Sequence, residues 1–113
     1  MNINREVIHN LRTEFGDAFY LLDSDRYRAN FTELRDAFRS IYPNSNIAYS
    51  YKTNYTPKFC KIVNELGGYA EVVSEMEVEL ALRIGVPHNR IIWNGPIKNA
   101  QKLEEFLVAG GTD

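Results

Sequence analysis

Several absences narrow the function of this sequence before any motif is weighed. Cys60 is the only cysteine, which excludes an internal disulfide and a multi-thiolate metal site. His9 and His88 lie far apart, and neither has a second histidine at metal-ligand spacing. Neither GxGxxG nor GxxxxGKS/T occurs, so the two familiar glycine-rich phosphate cradles are missing. No apolar run approaches the length of a membrane span, and the opening MNINREVIHN lacks the hydrophobic core of a secretory signal. A cytoplasmic protein without a membrane partner is the expectation. An excess of one charge is missing too: 13 Lys and Arg stand against 15 Asp and Glu, both signs scattered. Tyr49, Tyr51, Lys52, Tyr55, Lys58 and Phe59 interleave aromatic and basic side chains as a base-stacking surface does. The slightly acidic balance argues against a nucleic-acid partner all the same.

What is present suffices for a folded core: 44% of the 113 residues are hydrophobic and 12% aromatic. Val7, Ile8, Leu11 and Phe15 predict an amphipathic helix over 4–15, ended by Gly16. A short apolar strand is expected over 19–22. Asp23 or Ser24 can cap the next helix, whose inward face reads Tyr27, Phe31, Leu34, Phe38, Ile41 before Pro43 stops it. Thr56 and Pro57 suit the start of a helix with a buried stripe of Phe59, Ile62, Val63 and Leu66. Gly67 and Gly68 end it, and a strand over 69–73 follows. Ser74 caps a helix over 75–84, with Glu77 at capping-box spacing. A strand over 90–93 and a helix over about 100–109 complete the pattern, and Gly110 and Gly111 stand where another strand should begin.

The stretch 47–55, IAYSYKTNY, organises the rest. Counted by twos, Ile47, Tyr49 and Tyr51 share one face, while Ala48, Ser50, Lys52 and Asn54 share the other. A bulky face under helices and a narrow face toward a crowded interior suit a parallel strand, with Lys52 reaching past its C-terminal end. Two readings of Lys52 stand open here. It is either a lysine whose stem lies along the strand end with its ammonium in solvent, or an amine whose pKa burial lowers until it can attack a carbonyl.

Alternating strands and helices joined by short loops predict α/β architecture with a parallel sheet of right-handed βαβ units. Three such units from the lysine strand onward cannot close a (β/α)8 barrel, which takes about 250 residues. The sequence therefore reads as the N-terminal portion of a barrel, incomplete in this chain. Residues 1–46 form a helix, strand and helix leading in, and 47–113 form the first three βα units.

With these residues laid out, the chain resembles the N-terminal part of the pyridoxal-phosphate-dependent decarboxylases of the ornithine, arginine and diaminopimelate group, the fold shared with alanine racemase. FYLLDSDRYRANFTELRDAF is similar to the family's opening strand and first helix, and YSYKTN to its Y-x-x-K-x-N strand. GGYAEVVSEMEVELALRIGVPHNRIIWNGPIK is similar to its next two barrel strands, with Glu71, Ser74, Glu77, Gly95 and Lys98 on recurrent positions. Where many relatives carry aspartate, this chain has Glu71. The opening segment looks closest to the diaminopimelate branch.

The resemblance implies that Lys52 is catalytic and holds pyridoxal 5'-phosphate as a Schiff base, with Lys52, Glu71 and Ser74 as cofactor-binding residues and no metal. Glu71 is either a polar contact to the cofactor or a solvent-exposed strand end, and Glu77 either a helix cap or a catalytic group. The implied parent enzyme is a carboxy-lyase releasing carbon dioxide from a small amino acid, a homodimer with a shared active site serving lysine biosynthesis. The 113-residue piece alone is expected to be inactive. Groups for the phosphate and the pyridine nitrogen come, in the family, from later strands, a C-terminal β domain and a second subunit. A racemase or cofactor-storage protein of the same fold, and a non-catalytic α/β interaction module, are the alternatives. The strand at 19–22 is expected to be poorly supported without the C-terminal domain.

Overall fold

The computed structural model describes residues 3–113. Five helices and three strands alternate from the middle of the chain onward: α1 (Arg5–Phe15), α2 (Ser24–Arg39), β1 (Ala48–Ser50), α3 (Pro57–Glu65), β2 (Tyr69–Val72), α4 (Glu75–Ile84), β3 (Ile91–Trp93) and α5 (Ala100–Val108). A 3-10 turn, His88–Arg90, leads into β3. The strands are parallel in the order β1-β2-β3. Thr112 adds a parallel bridge to Ile92, giving its carbonyl to Trp93 N at 2.7 Å and its amide to Ile91 O at 3.2 Å. The sheet thus continues outward in chain order, at the place where GlyGly was expected to release a strand.

Most boundaries follow local chemistry. Asn4, Asp23, Ser74 and Asn99 each accept a backbone N–H with a side-chain oxygen at a helix N-terminus. Thr56 holds that position for α3 without a side-chain cap, and Pro57 opens the helix. Gly16 and Gly85 follow α1 and α4 with positive φ.

One sheet face is dry. Tyr49, Ala70 and Ile91 are in register, as are Val72 and Trp93, and this face packs against Cys60 of α3, Val78 and Ala81 of α4 and Phe106 of α5. Trp93 meets Phe106 edge to face at 5.4 Å. Helix α2 joins through Phe31 and through Tyr27, whose ring stacks on Phe59 at 4.3 Å. The other face, bearing Ala48, Ser50, Tyr69, Glu71 and Ile92, has no helix over it and no fully buried residue.

Three expectations are corrected. No strand forms at 19–22: nothing pairs with it, and Tyr20 is 99% exposed. The inward face assigned to α2 is covered only over its first half, for Leu34, Phe38 and Ile41 are each more than half exposed. The lysine strand is short, Ala48–Ser50, and its ladder ends with Tyr51 N donating to Glu71 O at 2.9 Å; beyond it Glu77 Oε2 takes the Val73 amide at 2.8 Å, and Thr53 bonds back to the Ser50 carbonyl, from its amide at 3.3 Å and its hydroxyl at 2.7 Å, which turns the chain. Helix α1 forms as expected but buries none of its residues. The radius of gyration, 17.2 Å, accordingly exceeds the roughly 13 Å of a compact chain this long.

Candidate functional site

The carboxyl ends of the strands gather the residues singled out from the sequence, and in open parallel sheets that edge is where ligands bind. Lys52 follows β1 by two residues, in the turn over 51–53, and its side chain is exposed. The backbone ladder reaches one residue short of it: Tyr51 N donates to Glu71 O at 2.9 Å. Glu71 sits on β2 in register with Ser50, and Ser74 stands two residues beyond β2 at the head of α4. Asn94 and Gly95 follow β3 at the same edge.

The Lys52 turn is fixed from beneath. The Tyr49 hydroxyl donates to Asn54 O at 2.9 Å, and Asn54 Oδ1 accepts from Thr56 N at 3.0 Å, tying the turn to the start of α3. Tyr49 in turn lies edge-on to Tyr27 and Tyr51, each at 6.2 Å. Burial, with the Tyr49 hydroxyl next, holds the Tyr27 phenol well above its ordinary range, and burial does the same for Tyr51. Burial also raises the Cys60 thiol against Tyr51. These groups stay protonated at neutral pH, so Cys60 is a small apolar packing residue, as its helical position suggested, and no nucleophile. Lys52 is an exposed side chain on this pinned turn.

Glu71 and Glu77 diverge. The Glu71 Oε1 atom is buried on the uncovered face without a hydrogen-bond partner among the described residues. Glu77 is 5% exposed, and its Oε2 accepts from Val73 N at 2.8 Å while Ser74 Oγ accepts from Glu77 N at 3.3 Å. Glu77 is therefore a helix cap, reaching one residue further back than the usual box. The Ser74 oxygen is engaged in the same cap, leaving its proton to point elsewhere. Gly95 has φ +125, and a Cβ there would stand 3.0 Å from Val73 O, so glycine lets the loops after β2 and β3 close on each other. Lys98 is ion-paired with Asp113.

Ser50 was placed on the narrow face by its sequence parity but given no role. Its Oγ is also buried without a partner, beside Glu71. Only strand register, which the sequence does not state, brings the two together. Unmatched polar atoms of this kind fit a ligand that is itself polar, and the free amine of Lys52 fits an aldehyde. Among the described residues no group of three His, Cys, Asp or Glu side chains could hold a metal ion, and no helix is long and apolar enough to cross a membrane.

Residues 28–110 match the model of the pyridoxal-dependent decarboxylase pyridoxal-binding domain. Diaminopimelate decarboxylase of Aquifex aeolicus is 34% identical over 98 residues, covering 86% of this chain and 22% of that protein. The crystal structure of Helicobacter pylori diaminopimelate decarboxylase complexed with L-lysine superposes with a TM-score of 0.81 at 28% identity, over 92% of this chain and 26% of that one. Vibrio vulnificus lysine/ornithine decarboxylase complexed with putrescine gives 0.79 at 27% identity, over 94% and 28%. The chain spans about a quarter of the length of these relatives.

Proposed function

This chain belongs to the pyridoxal-dependent decarboxylase family, and from that premise we propose that the protein carrying it is a diaminopimelate decarboxylase serving lysine biosynthesis, with Lys52 as its cofactor lysine. The single observation that carries the proposal is the placement of Lys52: an exposed amine on a pinned turn at the carboxyl edge of a parallel sheet, one residue past the bond between Tyr51 and Glu71.

Pyridoxal phosphate, when bound, supplies an aldehyde for an amine and a ring that takes up the electron pair left as the substrate's carboxylate departs. The chain's residues have narrower tasks. Lys52 offers the amine, and its turn fixes where that amine can reach. Glu71 offers an unmatched carboxylate oxygen to a polar group beside it, and the orphaned atom is why the site fits such a cofactor. Ser74 offers its remaining hydroxyl proton at the N-terminus of α4, where an anionic group is favoured.

The strand order, continued by Thr112, supports the first part of a (β/α)8 barrel. A homodimer with a shared site is proposed from the family resemblance alone. The substrate is an amino acid with a second charged end, and diaminopimelate is favoured over lysine or ornithine by the Aquifex and Helicobacter relatives.

The test is carbon dioxide release by the whole protein from meso-diaminopimelate, L-lysine and L-ornithine side by side. Release from the first, abolished by Lys52→Ala, is the expected result. An unchanged rate in the variant would reject the role of Lys52, and release only from ornithine or lysine would move the substrate. Borohydride reduction should fix a pyridoxyl group on Lys52.

A further inference from the structure

Four buried side-chain polar atoms lack a partner among the described residues, and two of them are neighbours. Ser45 Oγ lies in the loop before β1, and Trp93 Nε1 on the face packed by helices. Ser50 Oγ and Glu71 Oε1, by contrast, occupy register-matched positions on β1 and β2, on the face without a helix. Side chains in register on adjacent parallel strands point the same way. They do not bond to each other, so each keeps an unmet requirement.

The two requirements are complementary. A carboxylate oxygen only accepts, while a serine hydroxyl can donate. One ligand hydroxyl answers both, donating its proton to Glu71 and accepting from Ser50. Pyridoxal phosphate carries such a hydroxyl on the ring carbon next to its aldehyde. A ring tethered at Lys52, two residues beyond Ser50, therefore brings this hydroxyl to the same edge of the sheet.

We infer that Ser50 is a ligand contact, its hydroxyl and the Glu71 carboxylate together seating the ring hydroxyl of a pyridoxal-type aldehyde; this rests on the reading of Lys52 as the tether. The arrangement gives Ser50 opposite effects in two states. Without ligand it is an unmatched hydroxyl that weakens the fold, and with ligand it is a hydrogen-bond donor.

The test uses the whole protein with pyridoxal phosphate as probe. Ser50→Ala should raise the cofactor dissociation constant about tenfold, the equivalent of one hydrogen bond. It should leave the thermal midpoint of the cofactor-free protein level or higher, because a buried unsatisfied group has gone. Ser50→Thr, which keeps the hydroxyl, should restore affinity. Equal affinity in all three proteins overturns the inference, and so does a fall in cofactor-free stability that accounts for the lost affinity. Borohydride labelling separates the two levels: an adduct on Lys52 with unchanged affinity in Ser50→Ala removes Ser50 alone, whereas no adduct on Lys52 in the unmutated protein removes the tether and the inference with it.

Discussion

The Tyr49 hydroxyl donates to the Asn54 carbonyl across 2.9 Å, closing from below the turn that carries Lys52. That bond joins the dry face of the sheet to its carboxyl edge, since the same ring packs edge-on to Tyr27 of α2 and to Tyr51 just past β1. Tyr49→Phe keeps the rings packed and deletes only the donor. The expected loss is about 1 kcal/mol of stability, read as a lower denaturant midpoint with an unchanged slope. Tyr20→Phe, at a position 99% exposed, should leave the midpoint where it was. Equal midpoints for both variants would show that the turn does not depend on this bond.

Gly95 offers a second lever on the same edge. Its φ of +125 strains any L side chain, and the added Cβ would also press on Val73 O at 3.0 Å. At Gly67, φ is +81 and nothing lies within 4 Å. Gly67→Ala thus tests backbone strain alone, at about 1 kcal/mol, while Gly95→Ala should cost about 1–3 kcal/mol through strain and contact together. Thermal midpoints that fall equally would mean the two loops do not meet as described.

Alkali should weaken the fold before it strips the buried groups of their protons. Burial raises the folded-state pKa of Tyr27 and Tyr51 above the ordinary 10.0, and of Cys60 above 9.0. As pH climbs past those ordinary values, the unfolded chain releases protons that the folded chain keeps. The unfolded state then binds fewer protons, so stability is fully present below about pH 9 and declines above it. Phenolate absorbance followed with pH should show Tyr27 and Tyr51 ionising only with loss of helical circular dichroism. A smooth titration of every tyrosine in the folded protein would contradict their burial.

Much of this was legible in the sequence because the signals are local. Caps at Asp23 and Ser74, the proline at 57 and the four-three spacing in α2 are decided within a few residues, and each element they predict is present. Burial is not local. Leu34, Phe38 and Ile41 share one face with Phe31, yet only the part of α2 that meets α3 finds cover. The strand at 19–22 has the composition of one but no neighbour to receive its amides. Lys52 stands out on its strand and owes its proposed role to the resemblance carried by YSYKTN, whereas the register of Ser50 with Glu71 depends on strands separated by a whole helix.

Glu77 supplies the sharpest distinction between holding a site together and working in it. Its carboxylate is buried, accepts the Val73 amide at 2.8 Å and stands in the first turn of α4, where negative charge is favoured. Glu77→Ala leaves a buried backbone N–H without a partner and should cost about 1–3 kcal/mol. Glu77→Gln keeps an accepting oxygen and loses only the charge, so about 1 kcal/mol is expected. If Glu77 only caps, Glu77→Gln should retain turnover once temperature is lowered far enough to keep the protein folded. Turnover lost in a fully folded Glu77→Gln protein, with the cofactor still bound, would instead place this carboxylate among the groups that act on the substrate.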